Sequence, residues 1–441
     1  MNRTFKHVSL SKLALCGGAV AATAAVSLFG PGLGRVRAAL QDSPKAVLDE
    51  AWQIVNREYV DDTFNRVDWQ QVRQRLLDKN YSSRDQAYTA LRKELEKLDD
   101  PYTRFMNPKQ YESLTNQTSG ELSGIGIRLE VAEQTKALTV VEPIENSPAL
   151  KAGLKSGDRI VSINGKPTKG MTVENASNII RGDVGTKVSL EIRRDQGQPF
   201  VVSITRARIE LAAVRYSLKQ EGKSKIGYIR LNEFSSHAAD QMRRAIKDLQ
   251  TQKADGFVLD LRGNPGGLLQ SSIEISRMWM GEGAIVRTVD RRGKNEEVSA
   301  NQTALTKLPL VLLVDGNSAS SSEILTGALK DNGRATVVGS QTFGKALVQS
   351  VHNLADGSGL AVTIAHYYTP KGTDISHKGI TPDVKIDLTE ADKQTLSSNP
   401  KLLATLQDPQ YSGAVSALER IILAQPNRPT TGRQASIQRS R

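Results

Sequence analysis

The stretch VVGSQTFGKALVQ, residues 337–349, combines glycines with a lysine in an order that fits two different chemistries. Gly339 is followed after four residues by Gly344 and Lys345, as in a phosphate-binding loop. Such a loop requires a serine or threonine directly after the lysine, because that hydroxyl binds the magnesium ion. The position is occupied by Ala346, which disfavours nucleotide binding. The alternative is a buried amine that acts as a base by losing its charge.

A serine cluster upstream, in VDGNSASSSEILTGALKDNGRA, lies where a strand pattern gives way to a helical one. Ser320 and Glu323 have the spacing of a helix capping box, so a purely structural function is one interpretation. The other is nucleophilic catalysis, because a serine at a strand-to-helix turn has backbone N–H groups beside it that can stabilise an oxyanion. A serine hydroxyl reacts only when a base removes its proton, and burial lets a lysine act as that base. The spacing alone leaves both interpretations open.

The chain has three regions with different patterns of apolar residues, and together they must position the serine and the lysine. Residues 44–117 space their apolar side chains three and four apart, which predicts a helical N-terminal region. Residues 118–208 contain short alternating segments and two helical patches, which predict a small, mainly antiparallel module. In residues 209–425 strands such as GFVLDL and PLVLLVD alternate with helices, which predicts an α/β core with a parallel or mixed sheet.

The first 38 residues have the order of an export signal, with basic residues before an apolar run and Ala38 at a suitable cleavage position. The run has about 20 residues, so an uncleaved membrane anchor stays open as the alternative. The only cysteine, Cys16, lies in this segment. The mature chain is therefore expected to lack disulfides, cysteine nucleophiles and thiolate metal sites. Residues 426–441 are basic and polar, and predict a disordered tail.

The charge pattern and the histidines exclude several classes of function. The formal charge is +12, but acidic and basic residues are interspersed, which argues against nucleic-acid binding. No clustered His, Asp and Glu spacing indicates a metal site, and no cofactor is expected. The histidines of the predicted mature chain are scattered, and each is expected to be structural: His237, His352, His366 and His377.

The order SGIGIRLE and then SPALKAGLKSGDRIVSINGKP resembles a PDZ domain. The resemblance implies that the turn formed by Gly124, Ile125, Gly126 and Ile127 binds a terminal carboxylate, and that the peptide then adds as an extra strand. Arg181 lies where the second PDZ helix should end. It either relays peptide occupancy to the core or caps that helix by its charge.

Three motifs in order, LDLRGNPGGLL, NSASSSEILTGALKDNGRA and TFGKALVQ, follow the PDZ-like segment. Together they resemble the carboxyl-terminal processing proteases, the tail-specific serine peptidases with a PDZ domain, in a cyanobacterial or plastid-like form. The resemblance implies an exported serine endopeptidase that recognises C-terminal ends of proteins, in the periplasm or thylakoid lumen. It implies a ClpP/crotonase-like α/β core with an inserted PDZ domain. In a photosynthetic bacterium, the precursor of a photosystem II reaction-centre protein is the substrate that the family suggests.

The same resemblance assigns catalytic residues. Ser320 becomes the nucleophile and Lys345, 25 residues later, becomes the base. Gln349 is expected one helical turn after the lysine, where it would orient the amine without adding charge. Three apolar neighbours are expected to exclude water from the amine: Phe343, Leu347 and Val348.

The motif DLRGNPGG is expected to supply an oxyanion donor from the N–H of Gly266 or Gly267, with the N–H of Ser321 as the second donor. Alanine is common in the family at position 321, and glycine at position 346, so Ser321 and Ala346 depart from the pattern. The serine run makes Ser318, Ser321 and Ser322 competitors for the nucleophile. Three further residues match family positions near the site: Glu323, Asp331 and Thr342.

Two other functions stay open at this point. One is a non-catalytic PDZ-containing adaptor or scaffold in the envelope, and the presence of both Lys345 and Gln349 disfavours it. The other is an acyl-CoA enzyme, which shares the fold but does not need a serine and a lysine at these positions. Membrane association through the N-terminal segment and assembly into a homo-oligomer also stay open.

Overall fold

The computed structural model describes residues 43–424. The predicted export segment, 1–38, and the predicted tail, 426–441, lie outside the described residues, as does Cys16. Among residues 43–424 there is no helix with the length and apolar character needed to cross a membrane.

Four helices and a short strand form the N-terminal region: α1 (Pro44–Glu58), α2 (Trp69–Asp78), α3 (Arg84–Leu95), β1 (Arg104–Met106) and α4 (Pro108–Ser119). Ser43, Asp68 and Ser83 begin the first three helices by accepting a backbone N–H from the first turn. The apolar faces of these helices form one core that includes Leu360 and Val362 of a later strand. The helices therefore pack on the sheet that carries that strand.

The PDZ-like module is connected to the rest through a two-stranded ribbon, β2 (Glu121–Gly124) with β9 (Ala207–Glu210). Between them lie β3 (Ile127–Val131), β4 (Leu138–Pro143), α5 (Pro148–Lys151), β5 (Arg159–Ile163), β6 (Lys166–Pro167), α6 (Val173–Ile180), β7 (Lys187–Arg193) and β8 (Phe200–Thr205). The main sheet has the order β3-β4-β5-β7-β8 and is antiparallel throughout. The strand β3 is thus an edge strand, and α6 lies against it.

The core domain is built on a six-stranded sheet of order β10-β11-β12-β15-β16-β19, in which only the β10–β11 pair is antiparallel. Its strands are β10 (Val214–Glu221), β11 (Ser224–Leu231), β12 (Gly256–Asp260), β15 (Leu310–Val314), β16 (Thr336–Gly339) and β19 (Val384–Lys385). Helices α7 (Ala238–Thr251), α8 (Leu269–Trp279) and α9 (Ser321–Asp331) cover one face. Helix α11 (Pro409–Ala424) covers the other, after α10 (Glu390–Ser398).

A second sheet contains β13 (Ala284–Asp290), β14 (Asn295–Ser299), β17 (Leu347–Asn353) and β18 (Gly359–Tyr368). Its order is β1-β18-β13-β14, with β17 paired to β18 alone. Lys345 lies between β16 of the first sheet and β17 of the second. The lysine segment therefore joins the two sheets.

Arg181 occupies the C-cap position of α6, as predicted, and its backbone N–H donates to the carbonyl of Ser177 (2.8 Å). Its side chain is exposed, and another arginine holds the end of α6. The guanidinium of Arg206 is buried and donates to the carbonyls of Ile180 (2.7 Å) and Ile179 (3.0 Å), and to two groups at the start of β7. The last carbonyls of a helix have no donor within the helix. The guanidinium of Arg206 has five N–H donors, so it can bind several of these carbonyls at once.

This difference predicts unequal stability effects for the two arginines. Arg206→Ala should destabilise the PDZ-like module by about 2–4 kcal/mol, because it leaves buried carbonyls without donors. Arg181→Ala should change stability by less than about 0.5 kcal/mol, as an exposed substitution. Urea unfolding of both variants measures the difference. A larger loss for Arg181→Ala would contradict this account of the helix end.

Candidate active site

Three loops meet at one edge of the parallel sheet because they follow the carboxyl ends of the neighbouring strands β12, β15 and β16. The loop after β12 carries the glycines of DLRGNPGG, the loop after β15 carries the serine cluster, and the loop after β16 carries the lysine. Strand order thus brings together three motifs that are far apart in sequence.

Ser320 occupies the last position before α9, in an unusual backbone conformation with φ 52° and ψ −112°. A positive φ is costly for a residue with a side chain and is typical of functional turns. The N–H of Ser320 donates to the Glu323 carboxylate (2.9 Å), which is the glutamate half of a capping box. The structural and catalytic interpretations of this serine are therefore compatible.

The Glu323 carboxylate is 1% exposed and accepts four hydrogen bonds. Its donors are the N–H groups of Ser320 (2.9 Å), Gly344 (2.7 Å) and Lys345 (2.9 Å) and the hydroxyl of Thr342 (2.6 Å). Burial raises the pKa of the Glu323 carboxyl, while the four donors oppose that rise. The anion that the lysine loop holds is thus a carboxylate of the chain itself.

Close packing also explains a glycine of the apparent phosphate loop. Gly344 has φ 94°, and a Cβ there would approach the backbone nitrogens of Lys378 and Gly379 to 2.8 Å. No side chain fits at that distance from main-chain atoms. The glycine is required by the neighbouring chain, independently of any phosphate.

Tyr367 ties the serine and lysine segments together from the carbonyl side, and the sequence motifs do not indicate it. Its buried hydroxyl donates to the carbonyl of Lys345 and lies 3.2 Å from the carbonyl of Ser320. Burial raises the pKa of the Tyr367 hydroxyl well above its usual value, so the group stays a donor. Glu323 and Tyr367 together fix the main chains of Ser320 and Lys345 relative to each other.

The amine of Lys345 is half-buried, and its Nζ lies 4.3 Å from the centre of the Tyr102 ring. Burial lowers the pKa of Lys345, and the positive charge of Arg104 lowers it further. Asp100 and Glu323 act in the opposite direction. The environment of the lysine therefore comes largely from the N-terminal segment DDPYTRF, residues 99–105.

Two expectations about the surroundings of Lys345 are wrong. Phe343 is 55% exposed and cannot shield the amine. Gln349 lies in β17 rather than one helical turn after Lys345. The segment is extended because it pairs with β18, where Gln349 stands opposite Thr363. Leu347 and Val348 are half-buried, as part of the same strand.

The side chains of the predicted dyad are not hydrogen-bonded to each other within residues 43–424. The Nζ of Lys345 faces Tyr102, and the Nε2 of Gln349 is buried without a partner in the described chain. Catalytic hydrogen bonds are often long before substrate binds, so this geometry does not exclude the dyad. A hydrogen bond between Lys345 and Ser320 would require the lysine side chain to turn from Tyr102 toward the serine, because both main chains are fixed.

The glycine segment lies directly against the serine turn. A Cβ on Gly266 would lie 3.0 Å from both the Cβ of Ser320 and the N of Ser321. The N–H of Gly266 donates to Asn264 Oδ1 (2.9 Å), so it is not a free oxyanion donor. The N–H groups of Gly267 and Ser321 have no acceptor in the described part of the chain. These two remain as candidate donors.

The three competing serines have their hydroxyls occupied. Ser318 donates to the carbonyl of Leu261, Ser321 to that of Gly267, and Ser322 to that of Asn264, each at 2.9 Å. All three side chains are buried, whereas Ser320 is half-exposed. The hydroxyl of Ser321, where alanine is expected, thus binds helix α9 to the glycine segment.

Main-chain and ionic contacts hold the glycine segment in place. The N–H of Phe234 donates to Gly266 (2.9 Å), and the N–H of Leu268 donates to Phe234 (2.7 Å). At its start, the buried Arg262 bridges Asp260 (2.7 Å) and Asp408 (2.9 Å). Such a buried pair is costly to break, because the remaining charge would have no counter-ion.

Other candidate residues lie elsewhere. Asp331 is at the far end of α9, where it accepts from the N–H of Lys371 (3.0 Å). His352 contacts both Ser350 (3.0 Å) and Glu58 (2.7 Å) through the same nitrogen, Nε2, so the three do not form a relay.

The other histidines lie outside the serine turn as well. His237 pairs with Glu121 (3.0 Å), and His366 and His377 are exposed. No group of three or more metal-binding side chains occurs among the described residues.

The turn Gly124–Ile127 of the PDZ-like module leads directly into the edge strand β3. Gly126 has φ 78°, and its Cβ would come within 2.3 Å of the Ser147 side chain. The carbonyl of Gly126 accepts from Ile144 (2.8 Å), and that of Ile125 accepts from Ala149 (2.8 Å). The turn is therefore fixed by its carbonyls, directly before the edge strand β3.

Comparison with known proteins agrees with these observations. The family model described as Peptidase family S41 matches residues 225–386, and that of the PDZ domain matches residues 139–194. A solved structure, a putative S41 protease from Bacteroides fragilis, is 17% identical, with a TM-score of 0.51. It covers 84% of this chain and 97% of that chain, and shows a shared fold.

Two curated relatives are named carboxyl-terminal-processing protease. The one from Picosynechococcus sp. is 45% identical over 359 residues, covering 81% of this chain and 86% of the relative. The one from Synechocystis sp. is 43% identical over 375 residues, covering 84% and 86%. The predicted family is thereby confirmed: the chain belongs to the carboxyl-terminal-processing proteases of peptidase family S41, which are serine-type peptidases with a PDZ domain.

Proposed function

We propose that this peptidase binds the C-terminal end of a protein substrate in its PDZ domain and cleaves the chain with Ser320 as nucleophile and Lys345 as base. One observation carries the assignment: a single buried carboxylate, Glu323, binds the backbone N–H groups of both residues. A serine in a strained turn and a half-buried lysine are thus held at one point, beside the glycine segment.

The reaction begins when the neutral amine of Lys345 takes the proton of the Ser320 hydroxyl, whose oxygen attacks the substrate carbonyl. The N–H groups of Gly267 and Ser321 then stabilise the oxyanion. The lysine ammonium gives its proton to the leaving amine, which releases the C-terminal fragment. Water hydrolyses the acyl-enzyme by the same path, with Lys345 as base again.

The lysine can act as a base because its surroundings disfavour its charge. Burial lowers its pKa, and Arg104 adds a like charge nearby. Gln349 brings no charge that would stabilise the ammonium form. Its Nε2 is buried without a partner in the described chain, on the strand that follows the lysine.

Peptide recognition is assigned to the open edge of β3. A peptide with a free carboxylate places that end at the Gly124–Ile127 turn and adds its strand between β3 and α6. The relatives from cyanobacteria support an exported enzyme of the periplasm or thylakoid lumen. The parallel sheet covered on both faces supports a ClpP/crotonase-like core.

The first test of this mechanism replaces the dyad. Ser320→Ala and Lys345→Arg should each abolish cleavage of an unfolded protein with an apolar C-terminus. The alanine variant lacks the attacking hydroxyl, and the guanidinium of the arginine variant keeps its proton in the working pH range. Gel analysis of the products measures cleavage, and circular dichroism checks that each variant is folded. Retained turnover in Lys345→Arg would rule out Lys345 as the base.

A serine-directed covalent probe should label Ser320. Labelling of Ser321 or Ser322 would show that the nucleophile is assigned to the wrong serine.

A second test concerns the C-terminal end of the substrate. Amidation of a peptide's C-terminus should lower kcat/KM by about tenfold or more, since the carboxylate loses charge-assisted hydrogen bonds to backbone N–H groups. A peptide of the same sequence with a free carboxylate is the control. Equal cleavage of the two peptides would mean that the PDZ domain does not recognise the terminal carboxylate.

Arg181→Ala should lower turnover with less effect on peptide binding if Arg181 relays peptide occupancy to the core domain.

The pH dependence follows from the causes of the lysine's pKa shift. Activity should rise with pH as Lys345 loses its proton, with a midpoint below the ordinary lysine pKa of 10.5. Arg104→Ala should move the midpoint to higher pH, because it removes a positive charge that disfavours the ammonium form. Arg104→Lys, which keeps the charge, is the control. Profiles of kcat/KM at low ionic strength test this, and a shift to lower pH in Arg104→Ala would contradict it.

A further inference from the structure

The strand that follows the catalytic lysine has an open edge. Strand β17 pairs with β18 on one side, and no other strand of the described chain pairs with it. Edge strands in soluble proteins usually carry charges or proline that prevent further pairing. The sequence of β17, LVQSVHN, contains no lysine, arginine, acidic residue or proline. Val351, near its middle, is 46% exposed.

The direction of its peptide groups follows from the register. Thr363, the partner of Gln349, donates its N–H to Thr103 Oγ1 (3.0 Å) and accepts at its carbonyl from Val60 (2.8 Å). Both groups of Thr363 therefore point away from β17. In an antiparallel pair, opposite residues either exchange both hydrogen bonds or both point away from each other. The N–H and carbonyl of Gln349 thus face the open edge.

The same orientation recurs along the strand. The register shift lies between Val348 and Gln349, so the alternation is unbroken from Gln349 to Asn353. Val351 and Asn353 consequently also direct their peptide groups to the open edge, and no described residue satisfies them. The buried Nε2 of Gln349 is unpartnered as well. Val351 and Asn353 are exposed, so their peptide groups are open to an added strand, whose main chain they can bind at strand spacing.

We infer that the substrate segment around the scissile bond adds to β17 as an extended strand, with Gln349, Val351 and Asn353 binding its main chain. The inference rests on the proposed function and supplies its substrate class: an unfolded polypeptide, read by its backbone. The ligand is a peptide because the open edge begins two residues after Lys345 and offers alternating donors and acceptors at strand spacing. The terminus binds at β3, and the cleaved segment binds at β17.

Proline at position 351 tests the edge from the enzyme's side. Val351→Pro removes an N–H that faces outward, so it takes no hydrogen bond from the β17–β18 ladder. KM for an unfolded substrate should rise about tenfold relative to Val351→Ala, which loses the side chain but keeps the N–H. Equal KM values in the two folded variants would overturn the inference. A change in the oligomeric mass of Val351→Pro with unchanged KM would assign the edge to self-association instead.

N-methylated peptides test the edge from the substrate's side and do not depend on the folding of a variant. Peptides methylated at successive amides near the scissile bond should lose cleavage at every second position, because alternate amides face the enzyme strand. A uniform effect, or none, would overturn the inference. Labelling of Ser320 by a small fluorophosphonate, which has no peptide strand, keeps the two proposals distinguishable. Absent labelling would count against the dyad, whereas labelling without the two-residue period counts only against the edge.

Discussion

The buried carboxylate of Glu323 is the interaction on which the site depends. It accepts main-chain hydrogen bonds from the serine turn and from the lysine loop, which belong to segments following different strands. A buried charge is tolerated only when it is fully hydrogen-bonded, so these donors cannot move away independently. One side chain thereby fixes the main chains of Ser320 and Lys345 relative to each other, and Tyr367 binds their carbonyls.

The strained backbone of Ser320 is held in place by the contacts around it. Ser320 turns the chain with a positive φ at the start of α9 and is half-exposed, while the next two serines bury their hydroxyls against the glycine segment. Strain of this kind persists only where surrounding contacts outweigh it. Here the contacts are the Glu323 hydrogen bonds and the close approach of Gly266 to Ser320. The serine turn and the glycine segment are therefore parts of one packed unit.

The sequence predicts the parts of this site that local pattern determines. Strand-to-helix texture indicates the α/β core, and the motifs indicate Ser320, Lys345 and the glycine segment. It does not predict contacts made across the fold. Tyr102 reaches Lys345 from the N-terminal region, and Arg206 holds the end of α6 from a later strand. Gln349 is wrongly expected on a helix because pairing with β18, which local spacing does not reveal, extends the segment.

A lysine base needs a dry site, yet a peptidase must admit a polypeptide. The half-burial of Lys345 is a compromise between these demands, since full enclosure would block the substrate. In the proposed complex the peptide strand on β17 lies beside the lysine and displaces the remaining water. Desolvation then lowers the pKa of the amine further, because loss of water disfavours the ammonium form. In that complex a larger fraction of Lys345 is neutral and able to take the Ser320 proton, which limits proton abstraction in the empty enzyme.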